Sequence, residues 1–425
     1  MRTRNPAILA LPLLVLLAGC RDDVPTAPPA PSFNTVQADD PASLDVVELG
    51  SLMTGVHGHS RANAIRSNAQ GEATVVGASY LYGNFKAVAW RVAGDGSVGA
   101  PEVLGELPAP FDESHPYQVA RDVNAAGVIV GESLYREDAT IYAYRTVGFL
   151  YDGEMKLLPW LVGDSYAWIG WEINDQGMVA GWIRYASDRD DEGNVTAIAV
   201  RGALWLPPYD GVPILLEPLP GYGSANARAI NNDGVIAGWS FTGADTVGVY
   251  WLADGAGSVS GPYPLAAGFR STALNSAGHI AGHVFGEAAL WDANTGSLTR
   301  LGTLHQKGYG QAFGINDGNG GTFRMVGWSG RSLSNDSWLP TVWNTADGNA
   351  ILPVQLTLPG SYTGGYAGDI DDRGWIVGVG YQKSRNQTIQ RAILWRTAQG
   401  GDGGDGGDGG DGKPCNPHPK TGVCR

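Results

Sequence analysis

The stretch that decides the fold is Ala229-Ile230-Asn231-Asn232-Asp233-Gly234-Val235-Ile236-Ala237-Gly238, which is followed by Trp251. It consists of a small residue, an aliphatic residue, Asn, two variable residues, Gly, an aliphatic pair and a second Gly. An Asx residue followed by two polar positions and a glycine suits a tight hairpin with φ > 0 at its end. The stretch therefore predicts two strands joined by a tight turn.

The same pattern recurs seven times, with a period of about 50 residues. The second glycine of each copy is at position 77, 131, 181, 238, 282, 327 or 378. Two copies depart from the pattern, because Asn316 precedes a disrupted stretch, 318–323, and Asp371 replaces Asn before Gly374. In the other copies Asn and the first glycine are Asn68/Gly71, Asn124/Gly127, Asn174/Gly177, Asn231/Gly234 and Asn275/Gly278.

Two further strands are predicted in each repeat. An aromatic residue in a short apolar run indicates the third strand; these residues are Trp90, Tyr151, Trp205, Trp251, Trp291, Trp343 and Trp395. Fourth runs follow at 102–107, 155–160, 214–219, 262–265, 298–304 and 351–358. Four short antiparallel strands per repeat describe a propeller blade.

The seventh repeat lacks a fourth strand, because the chain enters a Gly/Asp tract soon after Trp395. Val46-Val47-Glu48-Leu49-Gly50-Ser51-Leu52 precedes the first repeat and is similar to Leu298-Thr299-Arg300-Leu301-Gly302-Thr303-Leu304. We predict that it completes the last blade and closes the ring, which pairs edges that would otherwise be open. The predicted fold is all-β, a seven-bladed β-propeller over residues 45–397 with four antiparallel strands per blade. The alternative is two smaller β domains.

Three stretches resemble bacterial extracellular repeats of the HAF type: Leu301-Gly302-Thr303-Leu304, Ile315-Asn316-Asp317-Gly318 and Ile173-Asn174-Asp175-Gln176-Gly177. The resemblance covers roughly residues 46–397. The phenylalanine of the family's AF-x-W ending is replaced here by Val88, Ala203, Val249, Ala289, Thr341 and Ile393. The resemblance implies a β-propeller-like extracellular fold in which the motif residues are structural, and it implies no settled activity.

The first residues have the features of an export signal. Arg2 and Arg4 precede an apolar run from Ala7 to Ala18, which is too short to cross a bilayer as a helix. Leu17-Ala18-Gly19-Cys20 resembles a bacterial lipobox. The resemblance implies removal of 1–19, lipid on Cys20 and attachment to the cell envelope, at the outer membrane or cell surface. An ordinary leader with an incidental cysteine is the alternative.

Two low-complexity segments flank the predicted propeller. Residues 20–44 are rich in proline and predict a semi-extended tether. Residues 398–413 form a flexible Gly/Asp-rich linker, whose period of three differs from the nine-residue calcium-binding repeat. The tail, 414–425, contains Cys415 and Cys424, which we predict to form a disulfide in an oxidising exported compartment, with free thiols as the alternative.

Composition and charge exclude several classes of function. The net charge of -14 argues against nucleic acid or anionic lipid surfaces as partners. No cofactor or metal site is predicted, since His279 and His283 lie roughly 13 Å apart along one strand and His57 and His59 lack a carboxylate companion. The motifs of zinc proteases, serine hydrolases and nucleotide-binding loops are missing as well.

Candidate site residues are those that break the repeat on the first strand of each blade, because propeller ligands usually occupy the central channel or one of its mouths. Asp122, Glu172 and Asp369 stand at a position where other copies have a small residue. They could bind a cation or an amine, or simply be solvated. Four nearby residues could hold a sugar by stacking and bidentate hydrogen bonds, although Arg and Trp also fill ordinary blade interfaces. These are Arg121, Trp171, Arg228 and Arg270.

These features predict a monomeric, non-enzymatic binding or scaffolding propeller that recognises a glycan, a polymer or a protein. One alternative is a carbohydrate-active enzyme that uses Asp122, Glu172 and Asp369 as acid and base. Another is an assembly factor of the outer membrane.

Overall fold

The computed structural model describes residues 44–107, 117–136, 144–161, 165–318, 321–345, 351–384 and 387–397. The predicted leader and tether, Cys20, the Gly/Asp linker, Cys415 and Cys424 lie outside these ranges. Within them every regular element is a β-strand except two short 3₁₀ helices, Gly55–His57 and Asn335–Ser337. No helix among the described residues is long and apolar enough to span a membrane.

The first fourteen strands are β1 (Asp45–Glu48), β2 (Ser60–Ser67), β3 (Ala73–Leu81), β4 (Asn84–Val92), β5 (Glu102–Val103), β6 (Gln118–Val123), β7 (Ile129–Arg136), β8 (Tyr144–Tyr151), β9 (Met155–Leu157), β10 (Ser165–Ile173), β11 (Val179–Arg189), β12 (Val195–Trp205), β13 (Ile214–Leu216) and β14 (Ser224–Ile230). The others are β15 (Val235–Phe241), β16 (Thr246–Ala253), β17 (Val259–Ala267), β18 (Phe269–Leu274), β19 (Ile280–Val284), β20 (Glu287–Asp292), β21 (Ser297–Arg300), β22 (Tyr309–Ile315), β23 (Arg324–Gly330), β24 (Trp338–Asn344), β25 (Pro353–Gln355), β26 (Tyr362–Ile370), β27 (Ile376–Ser384) and β28 (Gln387–Arg396).

Consecutive strands pair into antiparallel sheets of four. Sheet A contains β2–β5, sheet C β14–β17, sheet D β18–β21 and sheet E β22–β25. Sheet B has eight strands, β6–β13, whose two halves are joined by one parallel pair, Thr146 opposite Ala167 on β8 and β10. Sheet F contains β26–β28 and, at its edge, β1. The predicted fourth runs all contain a strand, although most of these strands are only two to four residues long.

The predicted Asx turns join the first and second strands. In the copy quoted above, the amide of Gly234 donates to the Asn231 carbonyl oxygen at 3.2 Å, and Gly234 has a φ of +75°. The Asn231 side-chain oxygen accepts the amides of Asp233 and Val235 at 3.1 and 3.0 Å. The side chain of the Asx residue thus supplies an acceptor for backbone amides of the tight turn.

A β-bulge follows the small residue on each first strand. On β14, Ala227 lies opposite Gly238 and Ala229 opposite Ala237, so Arg228 is the extra residue. The bulge brings the Asn226 carbonyl so close to Gly238 that a β-carbon there would overlap its oxygen. The same carbonyl contact occurs at each of the repeat's second glycines: 77, 131, 181, 238, 282, 327 and 378. Close backbone approach therefore requires glycine at this position.

The aromatic residues of the third strands pack between sheets. Trp205, Trp251 and Trp395 are almost completely buried, which makes them major contributors to the hydrophobic core. Their indole nitrogens donate to backbone carbonyls just after the fourth strand of the preceding unit. For Trp251 the acceptor is the carbonyl oxygen of Glu217 at 3.0 Å. Each of these tryptophans therefore holds its own four-stranded unit and the preceding one together.

The strand before the first repeat joins the last sheet. β1 pairs antiparallel with β28, with Val46 opposite Trp395 and Glu48 opposite Ile393. The strand is shorter than the predicted 46–52, because the chain leaves the sheet after Leu49, whose amide donates to the Ala392 carbonyl oxygen at 2.9 Å. Leu49 itself is buried.

Candidate functional site

A cavity of about 380 Å³ lies among the first strands of the sheets. We call it the central cavity. Its walls include residues of β2, β6, β10, β14, β18, β22 and β26, and the Asx turns that follow the last five of these strands line it as well. The repeat therefore directs the same strand of every sheet towards one shared space.

The bulged residues supply much of the lining. A bulge re-aims a side chain out of the regular alternation of a strand, and the bulged residues that line the cavity are Asn63, Arg121, Trp171, Arg228, Thr272, Phe313 and Gly368. Two of them bond to the next first strand: Asn63 Nδ2 donates to the Ala120 carbonyl oxygen at 2.7 Å, and Thr272 Oγ1 to that of Ala312 at 2.5 Å. Short polar side chains at this position are therefore structural.

Arg121, Trp171 and Arg228 form a stack. The guanidinium carbons of Arg228 and Arg121 lie 3.9 and 4.5 Å from the Trp171 ring centroid. Arg121 also pairs with Glu132, whereas Arg228 makes no hydrogen bond or ion pair to any described residue. Trp171 Nε1 and Arg121 Nε are buried without a hydrogen-bond partner. The sequence groups these residues as the structure does, and two guanidinium groups already lie against the ring on which a sugar was expected to stack. The stacking of a sugar on Trp171 stays a prediction.

The three predicted acidic residues also line the cavity, where they have different partners. Asp122 Oδ2 accepts the amide of Ile173 at 2.8 Å, and Asp369 Oδ2 accepts that of Ile65 at 2.9 Å. Both carboxylates therefore connect their own first strand to the next one. Glu172 makes no hydrogen bond to any described residue. It is the member of the three that has no structural partner.

Burial raises the pKa of all three carboxyl groups. The pKa of Asp369 rises to about 7. The pKa of Glu172 rises well above its ordinary value because of burial and the nearby negative charges of Asp122 and Asp369. Burial and the charge of Arg121 lower the pKa of Arg228. Burial likewise raises the pKa of Asp122 to about 6, so the cavity contains two aspartates, Asp122 and Asp369, whose pKa values lie well above the ordinary range of a carboxyl group.

An aromatic cluster forms another part of the lining. The Tyr366 ring is edge-on to Phe313 and Trp338, with centroid distances of 5.8 and 6.2 Å. One face of Trp338 stacks on Trp328 at 4.3 Å, and Trp338 Nε1 is buried without a hydrogen-bond partner. Sequence reasoning missed this cluster, although Phe313 occupies the same register as Trp171.

Arg270 does not belong to the site. It is exposed, is absent from the cavity lining and lies opposite His283 in sheet D. Arg270 comes directly before the small residue of its strand, Ser271. Arg121 and Arg228 come directly after the small residues of their strands and are therefore the bulged residues. Burial and the charge of Arg270 lower the pKa of His283 to about 4. Arg270 thus lies outside the central cavity, and its role at a channel mouth stays a prediction.

The histidines and carboxylates do not assemble a metal site. No group of three or more His, Cys, Asp and Glu side chains in the described ranges is placed to hold a metal ion. His279 lies 3.2 Å from the Asp292 carboxylate and stacks on Phe323 at 4.7 Å. These contacts give His279 a structural setting in sheet D.

The Asx turns at the mouth of the cavity are tied together by their side chains. Asn231 Nδ2 donates to the Asn275 carbonyl oxygen at 3.1 Å, so the turn of sheet C holds the turn of sheet D. The same bond joins Asn124 to Asn174, Asn174 to Asn231, Asn275 to Asn316 and Asn316 to Asp371. The repeated Asn therefore does more than shape its own turn.

Comparisons with known proteins bear on the fold alone. No protein-family model and no curated protein gives a significant match, so the resemblance to HAF repeats stays a prediction. A puromycin-hydrolyzing peptidase of Mycobacterium tuberculosis matches 81% of this chain with a TM-score of 0.50 and 11% identity. The chain spans about half of that protein, 53% of its length.

Two other solved structures match nearly their whole length. The β-propeller domain of the Trilobed protease from Pyrococcus furiosus matches 80% of this chain and 94% of its own, at 10% identity and a TM-score of 0.41. An ulvan lyase, from a new family of polysaccharide lyase, matches 81% and 96%, at 10% identity and a TM-score of 0.44. The all-β fold itself follows from the strands and their pairing into four-stranded antiparallel units among the described residues.

Proposed function

We propose that this chain is a closed, seven-bladed β-propeller whose central cavity binds a saccharide. Support for the blade number comes from the sheets, since sheets A, C, D, E and F and the two halves of sheet B are each four-stranded. Support for closure comes from the pairing of β1 with β28 and from the bond between Asp369 of sheet F and Ile65 of sheet A.

The observation that carries the binding proposal is a pair of polar groups that make no hydrogen bond to the described residues, the Arg228 guanidinium and the Glu172 carboxyl, in a cavity whose lining also contains the aromatic cluster. Sugar hydroxyls both donate and accept hydrogen bonds, and sugar rings have apolar faces that pack on aromatic side chains. Trp171 Nε1, Trp338 Nε1 and Arg121 Nε add buried donors that the protein leaves without an acceptor. A volume of about 380 Å³ falls within the range of small-molecule sites.

A glycan array probed with the purified full chain tests the proposal, followed by calorimetric titration of the saccharides that bind. We expect Arg228→Thr and Glu172→Gln to weaken binding by at least tenfold, because a hydrogen bond to a charged group contributes about 1.5–3 kcal/mol. Arg228→Thr is chosen because Thr272 occupies the equivalent bulge and bonds the next strand, so the fold should tolerate it.

Arg270→Ala is the matched control, since this arginine lies on an equivalent strand outside the cavity. It should bind as the unmodified chain does. Equal affinity of Arg228→Thr, Glu172→Gln and the unmodified chain would place the binding site elsewhere on the molecule.

One observation favours a catalytic alternative: three carboxyl groups with raised pKa values share a cavity, which is a feature of acid–base sites. The hydrogen bonds that Asp122 and Asp369 make to neighbouring strands argue for structural roles of these two. New reducing ends or unsaturated products from a bound saccharide, lost in Glu172→Gln, would establish catalysis. Stable recovery of the intact saccharide supports binding alone.

We also propose that the protein is exported as a monomer and anchored to the cell envelope by lipid on Cys20, with Cys415 and Cys424 bonded in the tail. The lipobox-like sequence and the resemblance to HAF-type extracellular repeats support this location. Incorporation of a labelled fatty acid that is lost in Cys20→Ser tests the anchor. Equal labelling of both chains would contradict it.

A further inference from the structure

The bonds between neighbouring Asx turns have one break, between sheet A and the first half of sheet B. Five Asn side chains bond to the next turn, and the last turn is tied to sheet A through Ser67, which donates to the Asp371 carboxylate. Asn68 is the exception, because its Nδ2 donates to Glu72 Oε2 of its own turn at 3.0 Å. No described bond joins Asn68 to the turn at Asn124.

The longer first strand of sheet A accounts for the break. Asn231 follows the small residue Ala227 by four positions, whereas Asn68 follows Ala62 by six. The turn of sheet A therefore begins two residues further along its strand than the turn of sheet C. Because of this offset, Asn68 does not occupy the position from which the other asparagines donate a hydrogen bond to the next turn.

A side groove of about 620 Å³ lies at this break. It is lined by side chains of Arg66, Glu72, Thr74 and Arg91 on sheet A and by the turn 124–127 of sheet B. Arg66 also lines the central cavity, so this residue borders both spaces. Its Nη2 lies 3.2 Å from Asp175 Oδ1, and the carboxylates of Asp175 and Asp122 raise the pKa of Arg66 against the opposing effect of burial.

The side groove has the chemistry of a second sugar subsite. Arg91 Nη1 bonds to Thr74 Oγ1 at 2.6 Å, which holds a guanidinium beside a hydroxyl, and Glu72 supplies an acceptor. Its apolar members are small or aliphatic, and none of its described lining residues is aromatic: Ala73, Val92, Ala93, Ala125 and Ala126. A polyhydroxylated chain can satisfy such a surface, whereas a peptide ligand would need pockets for its side chains.

We propose that the saccharide is a linear oligomer, with one end in the central cavity and further units passing Arg66 into the side groove. This proposal rests on the proposed function. Affinity should therefore increase with chain length. The units in the side groove should contribute only when the oligomer is long enough to extend beyond the central cavity.

The experiment titrates the full chain with linear β-1,4-glucan, α-1,4-glucan and α-1,4-galacturonan from monosaccharide to hexasaccharide. We expect the affinity for one series to rise at least tenfold with length. Arg91→Ala and Ala126→Trp, which places a bulky ring in the groove, should abolish this rise and leave the affinity for the shortest bound member unchanged. Arg300→Ala, at an exposed arginine of sheet D outside both spaces, is the control.

Each outcome is decisive. Binding that is independent of length, or a rise that survives both groove variants, overturns the side-groove proposal and leaves saccharide binding in the cavity standing. Absence of binding in all three series at millimolar concentration overturns both proposals. A length-dependent rise that only the groove variants remove supports the side groove as a subsite.

Discussion

Gly238 provides a direct test of the bulge that shapes the central cavity. Gly238→Ala would place a methyl group into the carbonyl oxygen of Asn226, on the strand that pairs with it. The obstacle is the backbone of the paired strand β14, so no side-chain rotation can relieve the overlap. Either the pairing of β14 with β15 must open or the bulge at Arg228 must shift.

The expected loss follows from this geometry. Overpacking a rigid interior destabilises by about 1–3 kcal/mol, and a backbone obstacle places Gly238→Ala at about 3 kcal/mol. Unfolding entropy of about 2.1 cal/mol/K per residue gives a domain spanning 45–397 a shift of roughly 1.4 °C per kcal/mol. The melting temperature should therefore fall by about 4 °C, and the urea midpoint should fall with it.

Calorimetry and urea unfolding of the full chain measure this loss. Gly243→Ala is the matched control, because Gly243 is exposed, and a β-carbon there would meet no atom within 4 Å. Alanine lowers the conformational entropy of the unfolded chain. The free energy of unfolding of this variant should therefore stay the same or rise by about 0.4–1 kcal/mol. If Gly238→Ala has the same melting temperature as the unmodified chain, the closeness of the Asn226 carbonyl does not explain the repeated glycine.

Two further predictions concern the seam and the cavity. Deletion of Asp45–Glu48 removes the strand that covers β28 and should cause a lower melting temperature and aggregation, so an unchanged transition would contradict closure of the ring. Burial raises the pKa of Asp369 from 3.8 to about 7, so ionisation increasingly destabilises the folded state as the pH rises from about 4 to about 7. Urea unfolding should therefore show a larger loss of stability from pH 5 to pH 8 in the unmodified chain than in Asp369→Asn, and equal losses would refute the assignment.

Local chemistry made much of the fold predictable from the sequence. All the hydrogen bonds of an Asx turn lie within five consecutive residues. Asn231 and Gly234 therefore indicate the turn whatever the rest of the fold is. Alternating apolar residues and the tryptophans then indicate strands that must pack between sheets. The pairing partner of Val46 followed from its similarity to the other fourth strands, which is again a local pattern.

The direction of the cavity side chains was harder to predict, because it depends on the bulge. An extra residue interrupts the alternation of a strand, and nothing in the local sequence marks it except the small residue before it and a glycine on the next strand. Arg228 and Arg270 are therefore similar in sequence context, although only Arg228 faces the cavity. The roles of Asp122 and Asp369 depend on amides about 50 and 300 residues away, which no local pattern contains.

The bulged position explains how a structural repeat can carry a ligand site. Where its side chain is short, as in Asn63 and Thr272, it makes a hydrogen bond to the first strand of the next unit. Its polar group then serves the fold rather than a ligand. Arg121, Trp171 and Arg228 make no such contact. They stack on one another instead, and Trp171 Nε1 and Arg121 Nε have no protein partner. Because these residues come from consecutive units, the free groups lie together on one side of the cavity. A change of side chain at a single repeat position thus replaces contacts between first strands with a stack whose polar groups would be available to the proposed ligand.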